Sequence, residues 1–223
     1  MIDFIQLIQK FKSELLLEGI ENLDLRNKKS CCVLGNSGSV LESEEGEKIN
    51  SLDFIIRNNF GPTRGYEKHV GNRTDLRVVN IHGFVYLYDL EHREKVREKF
   101  PEEDFEFLWK VENETIVDRH NIGIRSGRDI FDRNNNRLIR MSDNFIDLEK
   151  RENLNLTTGL VSILIGCSLF EEVYVHGFDF YSSNYPDHYF EKSVSYERIS
   201  HGLDLEKNIF SLLVEKNIIK KIK

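Results

Sequence analysis

The stretch that decides the fold lies between Cys31 and Arg77. It reads CCVLGNSGSVL over residues 31–41, DFIIRNNFGPTRGYEK over 53–68 and VGNRTDLR over 70–77. The first two segments each contain an apolar, β-favouring run that ends in glycine or in arginine and asparagine, which is the pattern of a buried strand followed by a turn. Open α/β sheets bind nucleotides at such strand-to-loop junctions. The pattern therefore predicts a ligand site at one edge of a sheet, to which two strands deliver amides and the Arg57 guanidinium.

The loop from Gly35 to Gly38 can be interpreted in two ways. Its two glycines permit turn angles and a close approach of ligand to backbone, and the amides of Asn36 and Asn59 could hold a ribose, a phosphate or a pyrimidine edge. Asparagine and glycine also make ordinary turns, so this loop alone leaves both interpretations open. The dinucleotide fingerprint G-x-G-x-x-G is absent, which argues against a Rossmann dehydrogenase. A helix is expected from about Val40.

The wider pattern resembles the sialylmotifs of the eukaryotic-type sialyltransferases. Residues 31–77 are similar to the large motif, C-x-V-V-G-N-S-G followed by R-M-N-x-A-P-T-x-G-F-E and V-G-x-R-T. NLTTG at 155–159 with VYVHGF at 173–178 resembles the small motif, HYFE at 188–191 the third, and His201 with Glu206 the last, His-x4-Glu. The four motifs occur in the family's order. The N-terminal leader, the middle from about residue 81 to 151 and the tail lie outside the resemblance.

The resemblance implies an inverting transferase that moves sialic acid from CMP-Neu5Ac to a hydroxyl of a glycan acceptor, such as a galactoside, a sialoside or a lipo-oligosaccharide. It implies no cofactor and no metal. It also implies a fold: an α/β domain with a single Rossmann-like, parallel-type sheet flanked by helices, the sialyltransferase variant of the GT-A architecture.

The resemblance also assigns roles residue by residue. His201 resembles the catalytic base and His188 the histidine that binds the leaving phosphate. Asn36 and Asn59 are similar to the contacts to the CMP ribose and phosphate. Thr157, Thr158 and Gly159 are similar to the contacts to cytidine and the donor carboxylate. The matched motifs place five further residues at the donor: Ser37, Gly38, Gly177, Phe178 and Tyr189.

The chemistry of the two histidines fits these roles. An imidazole with a pKa near 6.5 can take the proton of an attacking hydroxyl, an effect of about 100- to 10,000-fold. The departing CMP gains negative charge, which His188, Tyr189 or the start of the helix after Gly159 could stabilise. Glu206 lies about 140° around a helix from His201, so it could orient a loop or pair with the histidine.

Two other functions stay open. Kdo is also CMP-activated and carries a carboxylate beside its anomeric carbon, so a CMP-Kdo-dependent transferase of the same fold is one alternative. A CMP-binding homologue without catalysis is the other. No Asp-x-Asp occurs, and Asp-x-Glu at 89–91, 104–106, 147–149 and 204–206 suits solvated surfaces, so no catalytic divalent ion is expected.

Composition is that of one catalytic domain over residues 1–223. The chain is 39% hydrophobic, and its formal net charge of -7 gives no electrostatic reason to bind nucleic acid. Three cysteines in a chain of this size read as buried thiols of a reducing compartment, while a bridge from Cys31 or Cys32 to Cys167 stays open. The sequence does not indicate an oligomeric state.

Residues 1–28 predict an amphipathic N-terminal helix rather than an anchor or signal peptide. We therefore expect a cytoplasmic protein of bacterial or viral origin, with host cytosol equally suitable, and silent glycosylation sequons. Residues 81–151 are predicted to form the variable, acceptor-side region. Six arginines between Arg119 and Arg140 suggest a loop that favours an anionic glycan or an anionic membrane surface, although a solvated loop fits them as well.

The periodicity predicts alternating elements and helices on both faces of the sheet. Strands are expected at 31–34, 54–57, 76–80, 105–109 and 173–176, and helices at 3–17, 91–100, 158–169 and 203–215. The apolar residues of the last two helices and the tail are predicted to be core, including Leu160, Ile163, Leu164, Leu203, Ile209, Leu212, Ile218, Ile219 and Ile222.

Overall fold

A computed structural model describes residues 4–14, 17–59, 61–80, 113–119, 135, 137–180, 184–190 and 203–222. These residues contain eight strands, named here in chain order: β1 Leu17–Glu18, β2 Ser30–Leu34, β3 Phe54–Asn58, β4 Leu76–Val79, β5 Thr115–Asp118, β6 Arg137–Met141, β7 Glu172–His176 and β8 Ile219–Lys221. They also contain six α-helices: α1 Phe4–Glu14, α2 Gly46–Asn50, α3 Glu67–Val70, α4 Asp143–Arg151, α5 Thr158–Leu169 and α6 Leu203–Glu215.

The strands form one sheet in the order β1-β6-β5-β4-β3-β2-β7-β8. Seven strands are parallel, and the two-residue β1 runs antiparallel to β6. The chain adds strands on one side of β2 from β3 to β6 and then crosses to its other side with β7 and β8. The order therefore reverses between β2 and β7, which is the point where sheets of this type leave a crevice at their carboxyl ends.

The alternation of side chains along each strand gives the sheet two apolar faces. Cys31 and Val33 belong to the larger cluster, which α1, α4, α5 and α6 cover. Cys32 and Leu34 point to the other face, where Ile49 of α2 and Ile222 of the tail pack against them. The prediction of an α/β sheet with helices on both faces is confirmed.

Helix α5 is apolar on nearly all sides because it lies inside the larger cluster. Nine of its twelve residues are buried. Gly166 lets it approach β2 closely, since a Cβ there would lie 3.1 Å from Val33 Cγ2 and 3.2 Å from Cys31 Sγ. The helix thus rests on the two central strands, and its first residue is brought to the carboxyl edge of the sheet.

Most of the predicted elements that lie in the described residues are confirmed. Strands β2, β3, β4 and β7 and helices α5 and α6 match within one residue, whereas α1 ends at Glu14, three residues before the predicted end. The predicted strand 105–109 and helix 91–100 lie outside the described residues. In place of a helix from Val40, a 3-10 turn covers Gly38–Glu42, and α2 begins at Gly46.

No strand or helix was predicted between residues 110 and 157, where the structure has two strands and a helix. Strands β5 and β6 extend the parallel sheet, and α4 packs on it, because Ile116, Val117, Ile139 and Phe145 are completely buried. The arginine-rich segment 119–140 was predicted to be a loop, but its two ends belong to the sheet. Arg119 is buried directly after β5, and Arg137 and Arg140 lie in β6. Arg125, Arg128 and Arg133 lie outside the described residues.

The tail is core, as predicted. Ile219 is 1% and Ile222 is 8% exposed, and Ile218 packs partly buried against the same cluster as α5. Within the described parts of the chain, no helix combines the length and the apolar character needed to cross a membrane.

Candidate functional site

A cavity opens at the carboxyl edge of the sheet, over the point where the strand order reverses. The ends of four neighbouring strands, the start of α5, the loop 184–190 and the start of α6 contribute to it. Its lining consists of Gly35, Asn36, Ser37, Asn58, Asn59, Asn80, Thr157, Thr158, Gly159, Leu160, Ile163, Gly177, Phe178, Asp179, Phe180, Asp187, His188, Leu203 and Glu206.

Two glycines make the floor of the cavity. The Gly35 amide donates to the His176 carbonyl at 2.8 Å, and the Ser37 amide donates to the Gly177 carbonyl at 3.3 Å, so the loops after β2 and β7 run against each other. A Cβ on Gly35 would lie only 2.0 Å from the Gly177 carbonyl oxygen. Gly177 has a φ of 77°, in the left-handed region that favours glycine. The two loops can therefore cross in close backbone contact only because both positions lack a side chain.

The loop containing His188 is docked onto the loop after β2. The Gly38 amide donates to the Pro186 carbonyl at 3.0 Å, and the Tyr189 amide donates to the Asn36 carbonyl at 2.8 Å. Gly38 has no room for a side chain, because a Cβ would lie 2.7 Å from Pro186 Cδ. Gly38 therefore positions the His188 loop rather than lining the cavity.

Asparagines from adjacent strand ends are held by the backbone. The side-chain Nδ2 of Asn36 donates to the backbone carbonyl of Asn58 at 3.1 Å. The buried Asn58 side chain donates to the Leu34 carbonyl at 2.8 Å and accepts a hydrogen bond from the Ser162 hydroxyl. It thereby ties β2, β3 and α5 together beneath the cavity.

Asn59 is fixed by three contacts. Its backbone N–H donates to the Val78 carbonyl at 2.8 Å, and its backbone carbonyl accepts from Arg77 Nη1 at 2.8 Å. Its side-chain Oδ1 accepts from the backbone N–H of Asn80 at 3.2 Å. Arg77 is in turn held by Glu114, with Nη2 2.9 Å from Oε1. Asn59 has a φ of 43°, so the strand turns sharply there and brings the side chain to the cavity.

Arg57, predicted to reach the same edge, points elsewhere. Strand alternation turns it away from Asn58, and its Nη2 donates to the Val70 carbonyl at 2.7 Å and to the Arg73 carbonyl at 3.0 Å. Burial lowers the pKa of Arg57 to about 10. The guanidinium braces the turn after α3, and it is not part of the cavity lining.

The N-terminus of α5 points into the cavity. Thr157 is its N-cap, and its hydroxyl oxygen accepts from the Leu160 amide at 3.2 Å. Thr158 is 4% exposed, and its hydroxyl oxygen is buried without a hydrogen-bond partner among the described residues. Gly159 gives room to the Phe178 ring, since a Cβ would lie 2.9 Å from Phe178 Cε1. A buried hydroxyl and a positive helix end together suit an anion.

Glu206 determines the position of Thr157. The Thr157 hydroxyl donates to Glu206 Oε2 at 2.7 Å, and the Thr157 amide donates to Glu206 Oε1. Glu206 is only 1% exposed, and burial raises the pKa of its carboxyl group. Of the two roles that the sequence left open, orienting a loop is the one this geometry supports.

His188 lines the cavity, and its ring stacks on Phe190 with centroids 5.3 Å apart. Tyr189 does not line it: the ring is buried, and its hydroxyl donates to the Pro62 carbonyl at 2.5 Å. Tyr189 is connected to the site through its backbone N–H, which donates to the carbonyl of Asn36. His201 lies outside the described residues.

Several lining residues were not predicted as site residues. Asn80 directly follows β4, and Asp179 and Phe180 follow β7, so the rule that strand ends meet at one edge could have found them. Asp187 had no such signal. Leu203, predicted to be core, lines the cavity, because it begins α6 at the open edge.

The cysteines lie apart from this chemistry, whereas Glu206 of the Asp-x-Glu at 204–206 lines the cavity and is buried rather than solvated. Cys31, Cys32 and Cys167 are buried free thiols, as predicted, and burial raises the pKa of Cys167 to about 11. Over the described ranges, no cluster of three or more His, Cys, Asp or Glu side chains could hold a metal ion.

Known proteins share both the sequence pattern and the fold. The family model described as glycosyltransferase family 29 (sialyltransferase) matches residues 3–218. Human beta-galactoside alpha-2,6-sialyltransferase 2 is 46% identical over 61 residues, covering 27% of this chain and 12% of the human protein. The chicken CMP-N-acetylneuraminate-beta-galactosamide-alpha-2,3-sialyltransferase 1 is 30% identical over 207 residues, covering 86% of this chain and 57% of the chicken protein.

A crystal structure of a mammalian sialyltransferase superposes with a TM-score of 0.57 at 21% identity, covering 97% of this chain and 79% of that one. This likeness bears out the predicted fold class. The chain spans less than two thirds of the length of the curated relatives it matches.

Proposed function

Because this chain belongs to glycosyltransferase family 29, the sialyltransferases, we propose that it transfers sialic acid from CMP-Neu5Ac to a hydroxyl group of a glycan acceptor. The reaction inverts the anomeric carbon, uses a histidine as general base and needs no metal ion. The observation that carries the proposal is the cavity itself. Residues of the large, small and third motifs, far apart in sequence, line one crevice together with Glu206 of the last motif.

The donor is bound by the strand ends and the start of α5. Asn36 and Asn59, both held by backbone contacts, contact the ribose and phosphate. The Thr158 hydroxyl and the N-terminal amides of α5 bind the negatively charged groups of the donor, because the helix dipole favours an anion there. Glycines at positions 35 and 177 let the two loops under the nucleotide pack backbone against backbone.

The chemical step is a single displacement. The acceptor oxygen forms its bond to the anomeric carbon while the bond from that carbon to the phosphate oxygen of CMP breaks. His201 takes the proton of the acceptor hydroxyl. His188, which lines the cavity, donates a hydrogen bond to the phosphate oxygen on which negative charge develops.

The test is a transfer assay with CMP-Neu5Ac and, in parallel, CMP-Kdo, against galactosides, sialosides and lipo-oligosaccharides in excess EDTA. Release of CMP and a product heavier by one sialic acid residue are expected. Transfer of Kdo alone would overturn the donor assignment, and activity only after divalent ions are restored would overturn metal independence. Binding of CMP without transfer from either donor would favour a binding protein.

The base assignment is tested separately. Replacing His201 with alanine should abolish transfer and leave CMP affinity within about twofold, because the base contacts the acceptor rather than the nucleotide. His69→Ala is the control: His69 lies on α3 outside the cavity lining and should leave transfer unchanged. A large loss of CMP affinity in His201→Ala would contradict the assignment.

A further inference from the structure

His188 is the first ring of an aromatic stack that continues away from the cavity. Its imidazole lies nearly parallel to the Phe190 ring, with 13° between the planes and 5.3 Å between the centroids. The Phe190 ring meets Tyr189 edge to face at 5.2 Å and 87°, and Tyr189 meets Tyr66 at 4.9 Å and 71°. These are the geometries that aromatic pairs prefer. Of the four rings in this aromatic stack, only His188 lines the cavity.

The centre of the aromatic stack is buried and held by a hydrogen bond. Tyr189 is 4% exposed, and Tyr66 and Phe190 pack against the small apolar cluster to which it belongs. The Tyr189 hydroxyl donates to the Pro62 carbonyl. Gly61 passes so close that a Cβ there would lie 3.1 Å from the hydroxyl oxygen. The hydroxyl therefore has a backbone partner and lies against a second backbone segment.

Two backbone hydrogen bonds hold the chain on both sides of His188. The Tyr189 N–H donates to the Asn36 carbonyl at 2.8 Å, and the Pro186 carbonyl accepts from the Gly38 N–H at 3.0 Å. These bonds determine where the backbone of His188 lies, but a histidine side chain can still rotate about its own bonds. The aromatic stack restricts that rotation.

We propose that Tyr189 and Phe190 are positioning residues for His188: Tyr189 holds the aromatic stack in place, and Phe190 sets the direction in which the imidazole faces the leaving phosphate. Neither side chain contacts the donor. The sequence placed Tyr189 at the donor, but its hydroxyl is bound to the Pro62 carbonyl instead. The proposal rests on the proposed function only where it connects His188 to the leaving group.

A donor contact and a positioning residue differ in the kinetics of their variants. Loss of a donor contact raises the donor Kd, whereas misplacing His188 lowers kcat, because the charge on the phosphate develops fully only in the transition state. Tyr189→Phe keeps the ring and removes the hydroxyl. We expect its kcat to fall about tenfold and its Kd for CMP-Neu5Ac to stay within about twofold of the wild type. A raised donor Kd with an unchanged kcat would overturn the proposal.

Two variants of Phe190 test the stacking itself. Phe190→Leu removes the aromatic face, and its kcat should fall about tenfold, while Phe190→Tyr keeps the face and should stay within about twofold of the wild type. Equal losses in the two variants would mean that stacking is not the cause.

A second readout needs no substrate. The His188 ring lies over the face of Phe190, whose ring current moves the NMR signals of the imidazole protons upfield. His188→Ala identifies these signals. Phe190→Leu should abolish the upfield shift, and Tyr189→Phe should reduce it, because the aromatic stack loses its hydrogen bond to Pro62. Unmoved His188 signals in both variants would overturn the proposal. Tyr189→Phe decides the matter alone should Phe190→Leu fail to fold.

The controls are Tyr174→Phe and Phe170→Leu. Tyr174 lies on β7 with its hydroxyl 3.5 Å from Glu172 Oε2, and Phe170 is buried against Phe54 with centroids 5.0 Å apart. Both lie outside the cavity lining, so the His188 signals and kcat should stay unchanged, although Phe170→Leu should unfold at a lower urea concentration. A loss of kcat in Phe170→Leu equal to that in Phe190→Leu would assign the effect to general destabilisation and overturn the proposal.

The two readouts distinguish this proposal from the proposed function. If the His188 signals respond as expected while the wild-type chain transfers nothing, the aromatic stack keeps its role and only the proposed function fails. If the chain transfers sialic acid and Tyr189→Phe matches the wild type in kcat and in its His188 signals, the positioning role fails and the proposed function stands.

Discussion

At the scale of single residues, Asn59 combines a left-handed backbone conformation with a side chain that lines the cavity. Its φ of 43° lies in the left-handed region, which asparagine tolerates better than most residues, and its amide lines the cavity. Asn59→Ala removes the amide while keeping the strained backbone. We expect the donor Kd to rise about tenfold and the free energy of unfolding to fall by about 1 kcal/mol. Calorimetric titration with CMP-Neu5Ac and urea unfolding measure the two effects.

Asn27→Ala is the matched control for this prediction. Asn27 has a φ of 63° and is exposed, away from the cavity. It should show a similar decrease in unfolding free energy and an unchanged donor Kd. Equal donor affinity in the two variants would mean that Asn59 serves the turn only.

Gly35 is a residue whose role is to be small. A Cβ there would lie 2.0 Å from a backbone oxygen of Gly177, and neither strand end can shift without disturbing the sheet. Gly35→Ala should therefore reduce CMP binding at least tenfold and lower the unfolding free energy by about 2 kcal/mol or more. Gly65→Ala is the control. Gly65 has a φ of 85° and no atom near its Cβ position, so this variant should lower the free energy of unfolding through backbone strain alone and leave CMP binding intact. Normal CMP binding by Gly35→Ala would contradict the crowded crossing of β2 and β7.

At the scale of elements, the N-terminus of α5 serves both the core and the site. Thr157 caps the helix and receives its position from Glu206. Thr157→Ala should lower the unfolding free energy by about 1 kcal/mol and weaken CMP-Neu5Ac binding, whereas Thr157→Ser should keep both. Isothermal calorimetry and urea unfolding of the three proteins check this.

The cap of α4 provides the comparison. The Ser142 hydroxyl oxygen accepts from the Phe145 amide at 3.3 Å, as Thr157 does for Leu160, but Ser142 does not line the cavity. Ser142→Ala should cause a similar stability decrease and leave donor affinity unchanged. A parallel loss of affinity in both variants would indicate that helix stability, not the position of Thr157, governs binding.

At the scale of the whole molecule, the buried carboxylate of Glu206 is expected to help donor binding and to lower the free energy of unfolding at neutral pH. Burial raises the pKa of Glu206 above the ordinary 4.5, so its contribution to stability is fully present below the unfolded pKa and is lost as pH rises through the folded one. Glu206→Gln cannot ionise. The wild type should therefore become less stable relative to Glu206→Gln as pH rises, by about 1.4 kcal/mol for each unit of pKa elevation, while the variant binds donor more weakly.

Urea unfolding of both proteins at several pH values between 4 and 8 measures this difference. Glu172→Gln removes an exposed carboxylate that pairs with Lys220 and should show no comparable trend. A stability difference that does not change with pH would mean that Glu206 titrates in the folded chain as it does in the unfolded one.

The sequence by itself determined the central strands, α5, α6 and the part of the site that follows strand ends. Apolar runs ending in Gly or Asn identify those strands, and parallel strands must present their carboxyl ends at one edge, so Asn36 and Asn59 could be expected to lie together. Local pattern is enough in these cases because each residue's place depends on its own strand or helix.

Only the tertiary structure decided how residues far apart in sequence meet. Nothing near Glu206 in sequence indicates Thr157 as its partner, and nothing near Arg119 indicates its ion pair with Glu149 or its burial. Arg119 was therefore grouped with a loop that either favours an anionic surface or is solvated. Arg57 was assigned to the cavity although strand alternation turns it to the other face. A charged side chain is buried where its partners surround it, and those partners come from other elements, so their arrangement is known only once the sheet has formed.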